Sequence, residues 1–152
     1  MGEIVIVDTS ILLNVLNVPN FNRDRQVVLE QFRQCINRNA TLLVPLGAVL
    51  ETGNHIAQLG DGNKRWHHAK RFRDQMGKAL AGEAPWALVP LPDREQLKDW
   101  LQEFPDSAKR KAGLVDLSII KAWQGACKRH PLSPVRIWSL DKDLQGYDYN
   151  PG

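Results

Sequence analysis

The sequence predicts an α/β fold, a three-layer α/β/α sandwich around a central parallel sheet of four to five strands. Short apolar runs rich in β-branched residues alternate with segments whose apolar residues recur at helical spacing. That alternation builds a parallel sheet with helices on both faces. Four acidic residues, Asp8, Glu51, Asp116 and Asp141, fall at strand ends and in the first turns of helices. Open α/β sheets bind their ligands at the carboxyl ends of the strands.

The elements follow in order. Ile4 to Val7 is an unbroken β-branched run, as in a strand buried on both faces. Ser10 to Leu16 reads as a short helix and Asn22 to Asn39 as a longer one, with Val28, Phe32, Cys35 and Ile36 on one stripe. Thr41 to Val44 is the second strand, and Pro45 suits the first position of the helix that runs to about Leu59. Gly60-Asp61-Gly62 stops that helix, and Asn63 is the expected N-cap of a basic helix from Lys64 to Leu80. Trp86 to Val89 is the third strand. A short helix from Arg94 to Phe104 and a loop at Pro105-Asp106-Ser107 follow it. Leu114 to Lys128 is apolar almost all round, which predicts a central, buried helix. Val135 to Trp138 is the fourth strand; the tail from Tyr147 to Gly152 is too short and polar to predict a fifth with the same force.

At 152 residues the chain forms one domain, 1–152, large enough to bury a core. Its 43% hydrophobic and 24% charged residues exclude a disordered polymer. No apolar run approaches the roughly 20 residues of a membrane span, and no basic leader precedes the first strand. The expectation is a cytoplasmic protein with no membrane partner. Cys35 and Cys127 stand far apart without metal-ligand spacing and read as small buried apolar residues.

Carboxylates gathered from distant parts of a chain repel one another, so a pocket that collects four of them calls for a cation. Hard oxygen donors suit Mg²⁺ or Mn²⁺. If those four are drawn from the 17 acidic residues into one site, 13 remain against 20 Lys and Arg. The basic residues cluster at Lys64-Arg65, Lys70-Arg71, Lys109-Arg110-Lys111 and Lys128-Arg129. A cationic surface around an acidic pocket fits a polyanion gripped through its phosphates. The reading is a metal-dependent phosphodiester hydrolase.

At this point the chain resembles a known family. Val7-Asp8-Thr9-Ser10-Ile11-Leu12 is similar to the opening of a PIN-domain ribonuclease. So are the helical Glu51 after the second strand, the helix start Gly113-Leu114-Val115-Asp116-Leu117-Ser118, and the late Ser139-Leu140-Asp141-Lys142-Asp143-Leu144. The resemblance implies a PIN-like three-layer fold, one or two Mg²⁺ or Mn²⁺ ions, and endonucleolytic cleavage of RNA. It implies that Asp8, Glu51, Asp116 and Asp141 are catalytic, with Asp8, Asp116 and Asp141 holding the metal. Ser10, Ser139 and Asp143 would support them. Lys109, Arg110, Lys111, Lys64 and Arg65 are the candidate RNA contacts. The resemblance also implies a possible antitoxin partner, as for VapC-type toxins, and a homodimer.

Smaller signals and rival readings complete the expectation. Glu51, Asn54 and His55 share a helix face, which offers Asn54 or His55 to substrate or metal waters, but a lone histidine is expected to pack or face solvent. Trp123 and Trp138 read as core, whereas Trp66, beside His67 and His68 in the basic helix, could stack on a base. The first rival is a non-catalytic RNA-binding or scaffolding module with a PIN-like site. The second is a phosphatase using Asp8 as nucleophile. Enzymes of the haloacid-dehalogenase kind need a second Asp two residues on, where this chain has Ser10.

Overall fold

The computed structural model describes residues 2–152. A five-stranded sheet in the order β3-β2-β1-β4-β5 forms its centre, from β1 (Ile4–Val7), β2 (Thr41–Val44), β3 (Trp86–Leu88), β4 (Val135–Trp138) and β5 (Asp148–Tyr149). β1 pairs in parallel with both β2 and β4, and β2 with β3, while β5 returns antiparallel along β4 with Val135 opposite Tyr149. A short fifth strand therefore forms, completing a three-layer α/β/α sandwich.

The pleat assigns the two cores. Alternate residues of a strand face opposite sides, and Val5 and Val7 point into a cluster with Ile11, Leu12, Val28, Val44, Met76 and Trp138. That face is covered by α1 (Thr9–Val15), α2 (Arg25–Asn37) and α4 (Gly62–Leu80), with Ala48 of α3 (Leu46–Ala57) joining it. Ile4 and Ile6 point the other way, onto Ile119 and Ala126 of α6 (Leu114–Arg129). α5 (Arg94–Lys109) packs outside α6, where Lys121 Nζ meets Asp99 at 3.1 Å and Glu103 at 2.7 Å. A third cluster, Leu13, Leu16, Val18, Ile56 and Leu59, ties α1 to α3 beyond the sheet.

Four local expectations are corrected. The basic helix starts at Gly62 and is capped by Asp61, whose carboxylate accepts the backbone N–H of Asn63 at 2.8 Å; Asn63 is already inside the helix. A carboxylate is as good a cap as an amide and lies where the chain is still extended. Residues 105–107 are helical: α5 runs through Pro105 to Lys109, closed by Ser107 Oγ donating to the Ala112 carbonyl at 3.0 Å. Proline normally interrupts a helix interior, yet α5 continues past it along α6, where Lys121 meets Asp99 and Glu103. α6 is not buried all round: Leu114 is exposed, and its core contacts run through Leu117, Ile119 and Ala126. The second helix begins at Arg25, after turns that spend Asn17 and Asn20 in the left-handed region.

Among the described residues, no helix is long and apolar enough to cross a membrane.

Candidate active site

The strand order reverses between β1 and β4, and the acidic residues gather there. Asp8 follows β1 and Asp141 follows β4, so two hydrogen-bonded strands deliver their carboxylates to the same edge. A crevice at such a reversal is where α/β sheets bind ligands. Glu51 comes from α3, which follows β2, and Asp116 from the first turn of α6. All four line one cleft of about 240 Å³ with Thr9, Ser10, Leu13, Asn14, Phe21 and His55.

A hydroxyl network fixes the sheet half of this site. Asp8 is buried, and its Oδ2 accepts from Ser139 Oγ at 2.6 Å and from Ser10 Oγ at 3.0 Å. Ser10 Oγ also accepts the backbone N–H of Leu140 at 3.0 Å, and Ser139 Oγ that of Asp141 at 2.9 Å. Each serine thus spends its proton on Asp8 and a lone pair on the loop that carries Asp141. Asp8 stands at the N-cap of α1 but makes no capping bond, since its carboxylate is committed elsewhere. Asp141 does cap, accepting the N–H of Asp143 at 2.9 Å. Asp143 is exposed and does not line the cleft.

The helix half carries the electrostatic cost. The Asp116 carboxyl is pushed up to about 6, first by burial and then by the charges of Asp141, Asp8, Glu51 and Asp143. Four other acids therefore act on one group, as expected where like charges share a site. The backbone places α6 there by close approach: a Cβ on Gly47 of α3 would fall on Ser118 Oγ of α6. With Ser118 opposite it, glycine at position 47 leaves room for the helices bearing Glu51 and Asp116 to come together.

Asn14 and Thr9 line the cleft although the sequence did not single them out for it. Asn14, buried, donates to the Ser10 carbonyl at 2.9 Å and accepts the Asp24 N–H at 3.1 Å, locking α1 to the start of α2. A polar residue four positions after Ser10 in an otherwise apolar helix is the signal that could have found it. Thr9 Oγ1 borders the cleft, buried and without a hydrogen-bond partner. His55 packs on Phe21, ring centroids 4.5 Å apart, with Nε2 3.5 Å from Glu51 Oε1. The packing expected for it is present, and it also faces the acids.

The basic candidates are dispersed. Lys109, Arg110 and Lys111 are exposed at the end of α5 and do not line the cleft. Lys64 is exposed on α4, while Arg65 turns back to donate to the Leu59 carbonyl.

For a divalent cation, two observations pull in different directions. Among the described residues, no three His, Cys, Asp or Glu side chains are already arranged to hold a metal ion. Yet four carboxylates and an orphaned hydroxyl line the cleft beside the His55 imidazole, and burial followed by the neighbouring charges raises one carboxyl. The donor chemistry decides, because hard oxygen donors are what Mg²⁺ and Mn²⁺ take. The residues fit Mg²⁺ or Mn²⁺.

No family model matches the chain, and no curated protein does. Among solved structures, the crystal structure of FitAcB from Neisseria gonorrhoeae matches with a TM-score of 0.56 at 17% identity, over 90% of this chain and 87% of that one. The two share a fold.

Proposed function

We propose that this protein is a metal-dependent endoribonuclease. The single observation that carries the reading is the cleft shared by Asp8, Glu51, Asp116 and Asp141 at the β1–β4 reversal, where their charges already act on Asp116. The order of the four acidic motifs, similar to that of PIN-domain ribonucleases, supports it.

Asp8, Asp116 and Asp141 would hold one or two Mg²⁺ or Mn²⁺ ions. When bound, such an ion lowers the pKa of a water and offsets charge on a scissile phosphate. The remaining roles fall to the chain. Ser10 and Ser139 hold Asp8 in one rotamer through Oδ2, leaving Oδ1 for the cleft. Glu51 takes the proton of the attacking water, and His55 orients Glu51 from one side. Lys109, Arg110 and Lys111, with Lys64, would hold the flanking phosphates. The resemblance also supports a homodimer and an inhibitory protein partner, an antitoxin.

Cleavage of unstructured RNA with Mg²⁺ or Mn²⁺, lost on chelation and in Asp8→Asn and Asp116→Asn, tests the reading. Metal-dependent cleavage retained by both variants sinks it. A second reading, a non-catalytic RNA-binding module, is favoured by the lack of a ready-made cage among the described residues. Tight RNA binding without cleavage under either metal would select it.

A further inference from the structure

A second cavity lies between α3 and α4, across α3 from the acidic cleft. Gly53, Ile56 and Ala57 of α3 and Gly62, Arg65, Trp66, Ala69 and Phe72 of α4 line an open groove of about 450 Å³. Small residues make room there, and two aromatic rings bound it. Trp66 is 58% exposed, a large apolar ring left in solvent on a helix that is otherwise basic. Lys70 Nζ sits over one face of the ring, 3.6 Å from its centroid, and Lys70 does not line the cavity. The ring borders the cavity by what Lys70 leaves open.

The helix on one side of this groove is strongly basic, with Arg65 in the groove wall and Asp61 as its acidic N-cap. α4 carries Lys64, Arg65, Lys70, Arg71, Arg73 and Lys78 against Asp74 alone, and Asp74 is taken up by Arg73 at 3.0 Å. The field is felt locally: His68 is held below its usual range, first by burial and then by Arg71, His67 and Lys64. A ligand that suits both features is flat, aromatic and strung on anions. A duplex has its bases stacked inward and cannot present one to a side pocket, whereas a single strand can.

We infer that the cavity walled by Trp66 and Phe72 is a stacking pocket for one unpaired base of a single-stranded RNA, whose phosphates follow the cationic side of α4. This rests on the nuclease reading for the identity of the polyanion and deepens it. It makes the substrate a single strand that is held on both sides of α3, with the base pocket and the acidic cleft separated by the width of one helix, about 10 Å. Trp66 is a positioning residue and does not touch the reacting phosphate.

Binding in chelator, where nothing is cut, isolates the pocket. The probes are a short labelled single-stranded RNA, its duplex, and the same single strand with its bases removed. Trp66→Ala should weaken the single strand by about 5- to 100-fold, as expected for a lost base stack. Duplex and abasic strand should bind wild type and variant alike. Ala57→Leu, which fills the groove from α3 and leaves Trp66 in the sequence, should give the same selective loss. An unchanged affinity of both variants for the single strand, an equal loss on the abasic strand, or displacement of RNA by an acidic peptide with the same Trp66 dependence overturns the pocket. The two readings fail separately. If both variants bind the single strand as wild type does while metal-dependent cleavage persists, the pocket is wrong and the nuclease stands. If cleavage is absent but the selective loss appears, the pocket stands.

Discussion

Ser139 donates its hydroxyl proton to Oδ2 of Asp8 at 2.6 Å, joining residues 131 positions apart in the chain. Ser139 Oγ in turn accepts the N–H of Asp141, so one hydroxyl sets the separation of two carboxylates on neighbouring strand ends.

Ser139→Ala should leave both bonds unmade in a buried setting, costing about 1–3 kcal/mol of stability and roughly 10- to 100-fold in metal affinity or cleavage. Melting curves and metal titrations read the two effects. Ser139→Thr, which keeps the hydroxyl, should recover most of the loss; equal loss in both variants would mean that packing, and not the hydrogen bond, is what matters.

Asp116 titrates near 6 in the folded chain against 3.8 for the free group. Between those values the folded state keeps a proton that the unfolded chain has released, so metal-free stability falls as pH rises through that window and levels off above it. Asp116→Asn should therefore be the more stable protein in chelator at pH 7 to 8, by about 1–2 kcal/mol after allowing for solvent screening. The two proteins should converge below about pH 4. Added Mn²⁺ should raise the melting temperature of wild type and leave the variant nearly unmoved. Denaturant unfolding across this pH range decides it, and a variant no more stable than wild type at pH 8 refutes the electrostatic origin of the shift.

Asp141 lines the cleft and Asp143 does not, although only one residue stands between them. Asp141→Asn should reduce cleavage by at least about 100-fold and Asp143→Asn by less than about tenfold, since the latter loses only a distant charge on Asp116. Comparable losses in single-turnover assays would exchange their roles.

Gly47→Ala should destabilise the protein by about 1–3 kcal/mol, because its Cβ has no room against Ser118 Oγ. Ser118→Ala should relieve much of that in the double variant, giving a favourable interaction energy in a double-mutant cycle. Additive losses would show that the clash is absorbed elsewhere.

The sheet was legible because its strands are short β-branched runs bounded by turn residues, and Ile4, Val5, Ile6 and Val7 carry the signal without help from context. Asp8 and Asp116 were legible for a related reason: a strand end and a helix start each fix where a side chain can point. Position 105 was not, since a local rule about proline stops the helix where α5, packed along α6, continues to Lys109. The fifth strand was obscured because two residues carry no periodicity, and only β4 makes Asp148 and Tyr149 extended. His55 and Asn14 lie on their helices beside residues that were recognised. Their place in the cleft depends on Phe21 and Asp24, which the chain brings in by a loop of no regular structure.

The two rims of the sheet have a consequence for association. β3 is three residues long and runs into Pro90 and Pro92, and the opposite rim is closed by the two-residue antiparallel β5. Proline has no N–H to offer and a two-residue strand too few, so neither rim presents a ladder on which another chain could zip. A second copy, or a protein partner, would meet helices and loops in place of an open strand edge. Its recognition is then a matter of side chains and not of backbone.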